Sequence, residues 1–509
     1  MTAETLLASD FATLPDLIRA HAKERGNKLA LVSEAGSMDY AALDVMMDRV
    51  ASALQRDGIV HAQCIAICAA PSIAYAAIFL GILRAGGATT PLAPSDKPAT
   101  IAAMINDSGA PIIFVDEAAK AALAGQLIKA RMICFTDDSL NTWLMPAGSV
   151  PTAVAISPGD PFNVIYSSGT TGTPKGIVQS HQMRWQHIHR NAGAGYGDAV
   201  TMVATPLYSN TTLVVFLPTM GWGGTAVIMK KFDAHQFLEL AAASHATHAM
   251  LVPVQYQRIM ALPDFDSFDL SAFRMKTCTS APFSAALKAD VVARWPGALI
   301  EYYGMTEGGG STMLMAHVYP DKLHSVGQPI EGHDIRLIDE DGSEVAPGEM
   351  GEVVGRSGTM MTGYHGREEA TRAAEWFDDK GRRYIRHGDV GRFDAEGFLI
   401  LLDRKKDLII SGGFNIYPSD LEAVLAQHRG VADCTVVGVP SEAWGETPVG
   451  FYVPRGPVTD SAAILAWTND QLGKTQRLSA LHIIDELPRS AIGKVLKREL
   501  RDTLSGKTA

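Results

Sequence analysis

Apolar residues recur along this chain at two alternating spacings. Phe11–Lys23 and Tyr40–Leu54 carry them at helical intervals, and the strand-like run Leu29–Val32 lies between. Cys64–Cys68, Ala88–Leu92 and Pro111–Val115 are short, nearly continuous apolar runs and predict buried strands, with helices over Ile73–Arg84 and Pro98–Ser108 between them. Strands that alternate with helices predict a mostly parallel sheet covered on both faces. The pattern returns further on. Thr201–Pro206, Thr225–Met229 and Ala249–Pro253 predict strands around a helix over Asp233–Ala243 that Asp233 caps, which makes a second α/β unit. Ala74–Leu83, the most apolar stretch, is too short to cross a bilayer and predicts a buried helix.

From about Gly327 the runs shorten. Ile335–Asp339, Gly351–Arg356 and Phe398–Leu402 are separated by the turn signals Asp341-Gly342, Pro347-Gly348 and Glu396-Gly397, a texture that predicts an antiparallel sheet or small barrel. After Asp403 come a helix at Leu421–Gln427, strands at Val431–Val439 and Phe451–Val453, and a helix at Ser461–Leu472. A polar helix over Lys494–Leu504 follows, with Leu496, Leu500 and Leu504 on one stripe. The expected architecture is α/β. A large N-terminal domain (1–402) holds two doubly wound α/β subdomains plus a small β-barrel, and a small α+β C-terminal domain (403–509) follows. The boundary is set at the charge-dense segment Asp403–Asp407.

Composition adds exclusions. A chain of 509 residues exceeds one hydrophobic core. Its net charge of −11 argues against nucleic acid as a partner. Residues 403–509 balance 13 basic against 13 acidic side chains, so the acidity belongs to the larger part. The five cysteines are scattered, and the close pair Cys64 and Cys68 sits in an apolar run that reads as packing; this usage fits a reducing compartment. The first residues lack a basic stretch followed by an apolar core, and no segment reads as membrane-spanning, so a cytoplasmic location is expected.

The candidate chemistry begins at Ile165–Gly176, which reads Ile-Tyr-Ser-Ser-Gly-Thr-Thr-Gly-Thr-Pro-Lys-Gly. Five serine or threonine hydroxyls, three glycines and one lysine lie between an apolar segment and a predicted helix. Backbone N–H groups and hydroxyls in such a run can wrap a polyphosphate, with Thr170, Thr171 and Lys175 near the phosphates, which points to ATP. It is not a Walker A loop, because Gly176 stands where Ser or Thr would follow the lysine. Tyr302–Glu307 combines aromatics that can stack on a purine, a threonine donor at Thr306 and a carboxylate for Mg2+ at Glu307. Asp389, after His387-Gly388, can accept from ribose hydroxyls. Arg404, beside Asp403, can reach ribose or phosphate. Gly412 and Gly413 permit close backbone approach, and Lys494 sits beside Gly493 in a loop before the last helix. Taken singly, each also fits a surface turn, a strand end or a solvated charge.

In order and spacing these five motifs resemble the superfamily of adenylate-forming enzymes: acyl- and aryl-CoA synthetases, free-standing adenylation domains and firefly luciferase. The resemblance runs from Leu14 to Leu500. It implies that Ser167, Ser168, Gly169, Thr170, Thr171, Gly172, Thr173 and Lys175 form a phosphate loop, with Lys175 as its positioner. Tyr303 meets adenine, Thr306 and Glu307 serve catalysis with Mg2+ on Glu307, Asp389 and Arg404 hold ribose, and Lys494 catalyses adenylation. It also implies a two-step reaction. A carboxylate attacks the α-phosphate of ATP; the small mobile domain then turns about the hinge Asp403, withdraws Lys494, and brings Gly412 and Gly413 to a pantetheine passage. Trp444 would pack against the CoA nucleotide.

The same resemblance places the acid among Tyr208, Ser209, Asn210 and Thr211, then Cys278, Ser280 and Ala281, then Gly308, Gly309 and Met313. The glycines suggest room and the methionines an adaptable lining. The chain departs from many relatives in having Ser209-Asn210-Thr211 where a histidine follows the aromatic. It departs again at Gly473–Arg477, where Lys474 and Arg477 keep positive charge. His181 reads as capping or packing at a helix start. No aspartate is placed to hold an α-amine, so the expected acid is aromatic or cinnamic-type, or a medium-chain fatty acid, with CoA as acceptor. Transfer to a carrier protein and a long-chain fatty acid remain open alternatives, and a homodimer is compatible with the resemblance.

Overall fold

A computed structural model of the chain describes residues 1–167, 174–404, 407–411, 414–442, 444–456, 460–473, 476–490 and 493–504; the side chains of 167, 404, 414 and 415 are also outside the description. The chain falls into two compact units. The first comprises Met1–Leu323, Pro329–Asp334 and Arg356–Ile385; the second comprises His324–Gln328, Ile335–Gly355 and the chain from Arg386 onward.

The first unit contains the two expected α/β layers. In one sheet the strands run in the order Gly363–Tyr364, Lys175–Ser180, Pro161–Ser167, Ala88–Leu92, Cys64–Cys68, Ile112–Val115, Arg131–Cys134. The last five of these strands pair in parallel. Its central strands are buried throughout, which is why they read as unbroken apolar runs rather than alternating ones. The helix Ile73–Arg84 between them is buried along its length, as its apolar sequence requires. It ends on the buried Arg84, whose guanidinium meets Asp44 at 2.6 Å and Asp48 at 3.0 Å.

The second sheet has nine strands, and its parallel core contains Val200–Val203, Thr225–Ile228, His248–Leu251, Met275–Cys278 and Ala298–Gly304. Leu29–Ser33, an early strand in the chain, joins this later sheet, pairing in parallel with Thr225–Ile228. The helix Ala234–Ala243 starts as expected, with the Asp233 carboxylate accepting from the Gln236 N–H. Two departures matter for function. The glycine-rich run does not lead straight into a helix. Lys175–Ser180 first turns back as an antiparallel strand on Pro161–Ser167, with Gly176, Ile177 and Gln179 buried, and the helix His181–His189 follows. Asn210–Trp222 is a helix although Pro218 lies inside it, because ten of its residues between Thr211 and Gly221 are buried and tertiary packing outweighs the missing N–H.

In the second unit, Leu399–Arg404 pairs antiparallel with the C-terminal part of Arg383–Phe393 in the sheet predicted by the short runs and Gly turns. A further sheet is built on the long hairpin Val431–Ser441 and Gly445–Pro454; Ile409–Ser411 and Ala480–Ile483 both pair with Gly445–Pro454, and Phe414–Ile416 lies beyond Ile409–Ser411. The helices Pro418–Leu425 and Ser461–Gln471 pack their apolar stripes into its core through Leu421, Leu425 and Ile464. The tail helix spans Lys497–Leu504 and buries Leu500, while Leu504 is exposed. Among the described residues no helix is long and apolar enough to cross a membrane.

Candidate active site

The site begins at the hairpin that carries the glycine-rich run. Ser167 and Lys175 are register partners at its mouth, and Tyr166 faces Gly176 one step in. Gly176 is needed there: a Cβ would lie 2.8 Å from Val164 Cγ1. The Tyr166 hydroxyl donates to Asp107 at 2.7 Å, and Arg367 holds the same carboxylate at 2.8 Å, which braces one side of the hairpin. Ser168, Gly169, Thr170, Thr171, Gly172 and Thr173 lie outside the described residues, as does the side chain of Ser167.

Lys175, Tyr364 and Glu307 come together. The Lys175 ammonium sits 5.2 Å from the centroid of the Tyr364 ring. The Tyr364 hydroxyl donates to Glu307 Oε1 at 2.9 Å. Burial, and then the Glu307 carboxylate, push the Tyr364 phenol well above its ordinary range, so it stays protonated and remains a donor. Tyr364 reaches this place because Gly363–Tyr364 adds to the sheet edge opposite Val178 and Ile177. The motif reading missed Tyr364, since nothing in its own neighbourhood marks it and its partners lie far away along the chain.

The turn that presents Thr306 and Glu307 is held through its backbone. The Gln179 amide donates to the Thr306 carbonyl at 2.7 Å, and the Met361 N–H donates to the Glu307 carbonyl at 2.7 Å. Gly308 follows with φ +73°, and a Cβ there would lie 1.7 Å from the Thr359 carbonyl oxygen. Ser357 Oγ donates to the Gly308 carbonyl at 2.8 Å. Gly308 and Gly309 are buried; at Gly308 the missing side chain admits the Thr359 backbone, which corrects the expectation that this glycine leaves room for a ligand. Tyr303, half-buried, and Met313 lie on the antiparallel pair Ala298–Gly304 and Ser311–Met315, where Met313 faces Tyr302.

Two of the three predicted pocket segments meet directly. Ser209 caps the helix Asn210–Trp222, accepting from the Thr211 N–H at 3.2 Å, and Thr211 Oγ1 lies 2.6 Å from Ser280 Oγ. Ser280 adopts φ +82°, a left-handed conformation costly for a residue with a Cβ, and the contact with Thr211 helps hold it. Ala281 follows, half-buried. Tyr208, before the cap, has its phenol pushed up to about 12, chiefly by burial. Asn210 Oδ1 is buried with no hydrogen-bond partner among the described residues. Cys278, expected on a pocket wall, is fully buried in the core cluster with Leu251, Tyr256 and Phe283, and burial raises its thiol. His181 is the first residue of its helix, after the cap Ser180, and is buried edge-on to Phe162.

In the second unit, Asp389 and Arg404 are register partners on adjacent antiparallel strands, and Val390 faces Asp403. The Asp403 carboxylate accepts from the Ser419 N–H at 2.9 Å. Tyr417 offers no side-chain cap to the helix Pro418–Leu425, so Asp403 satisfies one of its orphan donors from outside. Lys494 is half-buried and sits just past Gly493 (φ +77°), in a turn closed by Ser490 N–H to the Lys494 carbonyl at 2.8 Å. Arg489 clamps that turn, donating to the Gly493 carbonyl at 2.7 Å and pairing with Asp433 at 2.6 Å. Trp444, 61% exposed, stands at the bend of the long hairpin. Gly412, Gly413 and Lys474 lie outside the described residues.

Comparison with known proteins places the chain in a family. The family model for AMP-binding enzymes matches residues 18–365, and that for the AMP-binding enzyme C-terminal domain matches 420–494. A feruloyl-CoA synthase of Amycolatopsis sp is 32% identical over 91% of this chain and 94% of its own length. A 4-coumarate–CoA ligase-like protein of Oryza sativa subsp. japonica is also 32% identical, over 97% of this chain and 93% of its own. The crystal structure of ATP-bound MatB from Rhodopseudomonas palustris superposes with a TM-score of 0.86 at 28% identity, covering 97% of this chain and 99% of that one.

Proposed function

This chain belongs to the AMP-binding enzyme family, and on that premise we propose that it joins a carboxylic acid to coenzyme A through an acyl-adenylate. A carboxylate oxygen attacks the α-phosphorus of ATP, the bond to the β-phosphate bridging oxygen breaks, and pyrophosphate leaves. The CoA thiol, giving up its proton, then attacks the acyl carbon and expels AMP. The observation that carries this reading is the Tyr364 bridge. It sets a lysine at the mouth of the hydroxyl-rich loop and a half-buried carboxylate on one ring and its hydroxyl, a cation for phosphate oxygens beside an anion for a metal. Among the described residues, Glu307 accepts from Tyr364 and has no lysine or arginine in an ion pair. A carboxylate so placed fits Mg2+, which when bound supplies positive charge to the phosphate oxygens.

In this reading Lys175 and the hydroxyls of 167–173 orient the phosphates. Tyr303 stacks on adenine, the opposed pair Asp389 and Arg404 holds ribose, and Lys494 neutralises charge that grows on the α-phosphate and leaving group. Asp403 serves as hinge, and Trp444 with Gly412 and Gly413 serves the CoA step. The acid occupies the walls made by Tyr208–Thr211, Ser280–Ala281 and Met313. Relatives named for feruloyl and 4-coumarate support an aromatic or cinnamic-type acid. A panel of hydroxycinnamic, benzoic, medium-chain and long-chain acids, each with ATP, Mg2+ and either CoA or a phosphopantetheinylated carrier protein, tests this. Cinnamic-type acids should give the highest kcat/KM and a CoA thioester by mass. A fatty acid as best substrate would overturn the acid class, and transfer to the carrier alone would overturn the acceptor.

A further inference from the structure

Arg184 is a buried guanidinium, 1% exposed, that has no carboxylate partner among the described residues. Its partners are neutral. Nε donates to Asn163 Oδ1 at 2.9 Å, Nη2 donates to Gln179 Oε1, and Nη1 lies 3.3 Å from His187 Nδ1. Asn163 and Gln179 are themselves fully buried. An uncompensated charge in such a place is costly, and packing alone would be served better by an apolar side chain.

The cation fixes the orientation of one amide. Gln179 Oε1 takes donors from both Arg184 and Asn163, the latter at 2.8 Å. Its Nε2 is thereby turned the other way, where it donates to the Thr306 carbonyl at 2.7 Å. A flipped amide would set its NH2 against the guanidinium and its oxygen against a carbonyl, so only one orientation satisfies every group. The chain of contacts runs from a helix interior through a strand to the turn that bears Thr306 and Glu307.

We propose that Arg184, acting through Gln179, is a positioning residue that sets the Thr306–Glu307 turn for adenylation. This rests on the assignment of Thr306 and Glu307 to the adenylation site. Gln179→Glu separates the roles. A carboxylate at this position gives Arg184 a counter-charge, which offsets the repulsion between the other carboxylate oxygen and the Thr306 carbonyl, but it cannot donate to that carbonyl. The full-length variant should keep a Tm near that of the wild type. Its acid-dependent ATP–pyrophosphate exchange should fall about tenfold or more, since small misplacements of reacting groups carry penalties of that order. Its half-saturating Mg2+ concentration should rise, and a synthetic acyl-adenylate should still be thiolysed by CoA at the wild-type rate. Wild-type exchange in Gln179→Glu would overturn the inference. So would a joint fall of kcat and Tm with unchanged Mg2+ dependence, which marks a purely structural role. Glu307→Gln, assayed alongside, separates the two levels. If it exchanges like the wild type, the reading of the site fails, and the inference with it. If it is inactive while Gln179→Glu is fully active, the inference alone fails.

Discussion

Lys494→Ala should lower acyl-adenylate formation by about 10²- to 10³-fold, the range for removing one positioned donor from developing oxyanion charge. The same variant should convert a supplied acyl-adenylate and CoA to thioester at nearly the wild-type rate. The split follows from where charge appears. In the first step negative charge grows on the phosphoryl oxygens and the departing pyrophosphate, and an ammonium offsets it. In the second step a thiol attacks an already activated acyl carbon, and AMP leaves as a stable anion. The turn around Lys494 is closed by Ser490 and clamped by the Arg489 contacts with Gly493 and Asp433, none of which uses the lysine side chain as donor, so truncation should leave that turn folded. Pyrophosphate exchange and single-turnover thiolysis measure the two steps separately. Equal loss in both would defeat the assignment.

Gly308→Ala should lower adenylation to a comparable degree for a steric reason. A methyl group there would sit 1.7 Å from the Thr359 carbonyl oxygen and would require a left-handed backbone at φ +73°. The turn must move, and it carries Glu307 on its preceding residue, whose Oε1 is tied to Tyr364. A displacement on the order of 1 Å at such a position can cost about 10²-fold in rate. Gly332→Ala is the matched control. Its φ is +77° but no atom lies within 4 Å of the added Cβ, so it feels backbone strain without displacement. Gly332→Ala should retain most of its exchange activity. Equal activity in both variants would show that crowding against Thr359 is irrelevant.

The parallel strands Cys64–Cys68 and Ala88–Leu92 were legible in the sequence because burial on both faces leaves an unbroken apolar signature. The N-cap at Asp233 was legible because capping is local. Pairings at long separation were not. Leu29–Ser33 looks like a strand but carries no mark of the sheet it joins, nearly 200 residues later. Lys175–Ser180 was hidden because its hairpin register depends on Pro161–Ser167 rather than on its own composition. The same distinction divides the candidate residues. Lys175, Glu307, Asp389 and Lys494 are proposed from chemistry within short motifs. Tyr364 acts only by joining two of them. Gln179 and Arg184 belong to none of the motifs, and the fold buries both. Gly308 shows the converse error: glycine was read as space for a ligand, whereas the backbone fills it.

The most direct test of the central claim follows an atom. A carboxylic acid substrate labelled with ¹⁸O in both carboxyl oxygens is turned over with ATP, Mg2+ and CoA, and the products are weighed. Attack by the carboxylate on the α-phosphorus, followed by thiolysis at the acyl carbon, predicts one ¹⁸O in AMP, one in the thioester carbonyl and none in pyrophosphate. Label in inorganic phosphate with ADP as co-product, or unlabelled AMP, would contradict an acyl-adenylate.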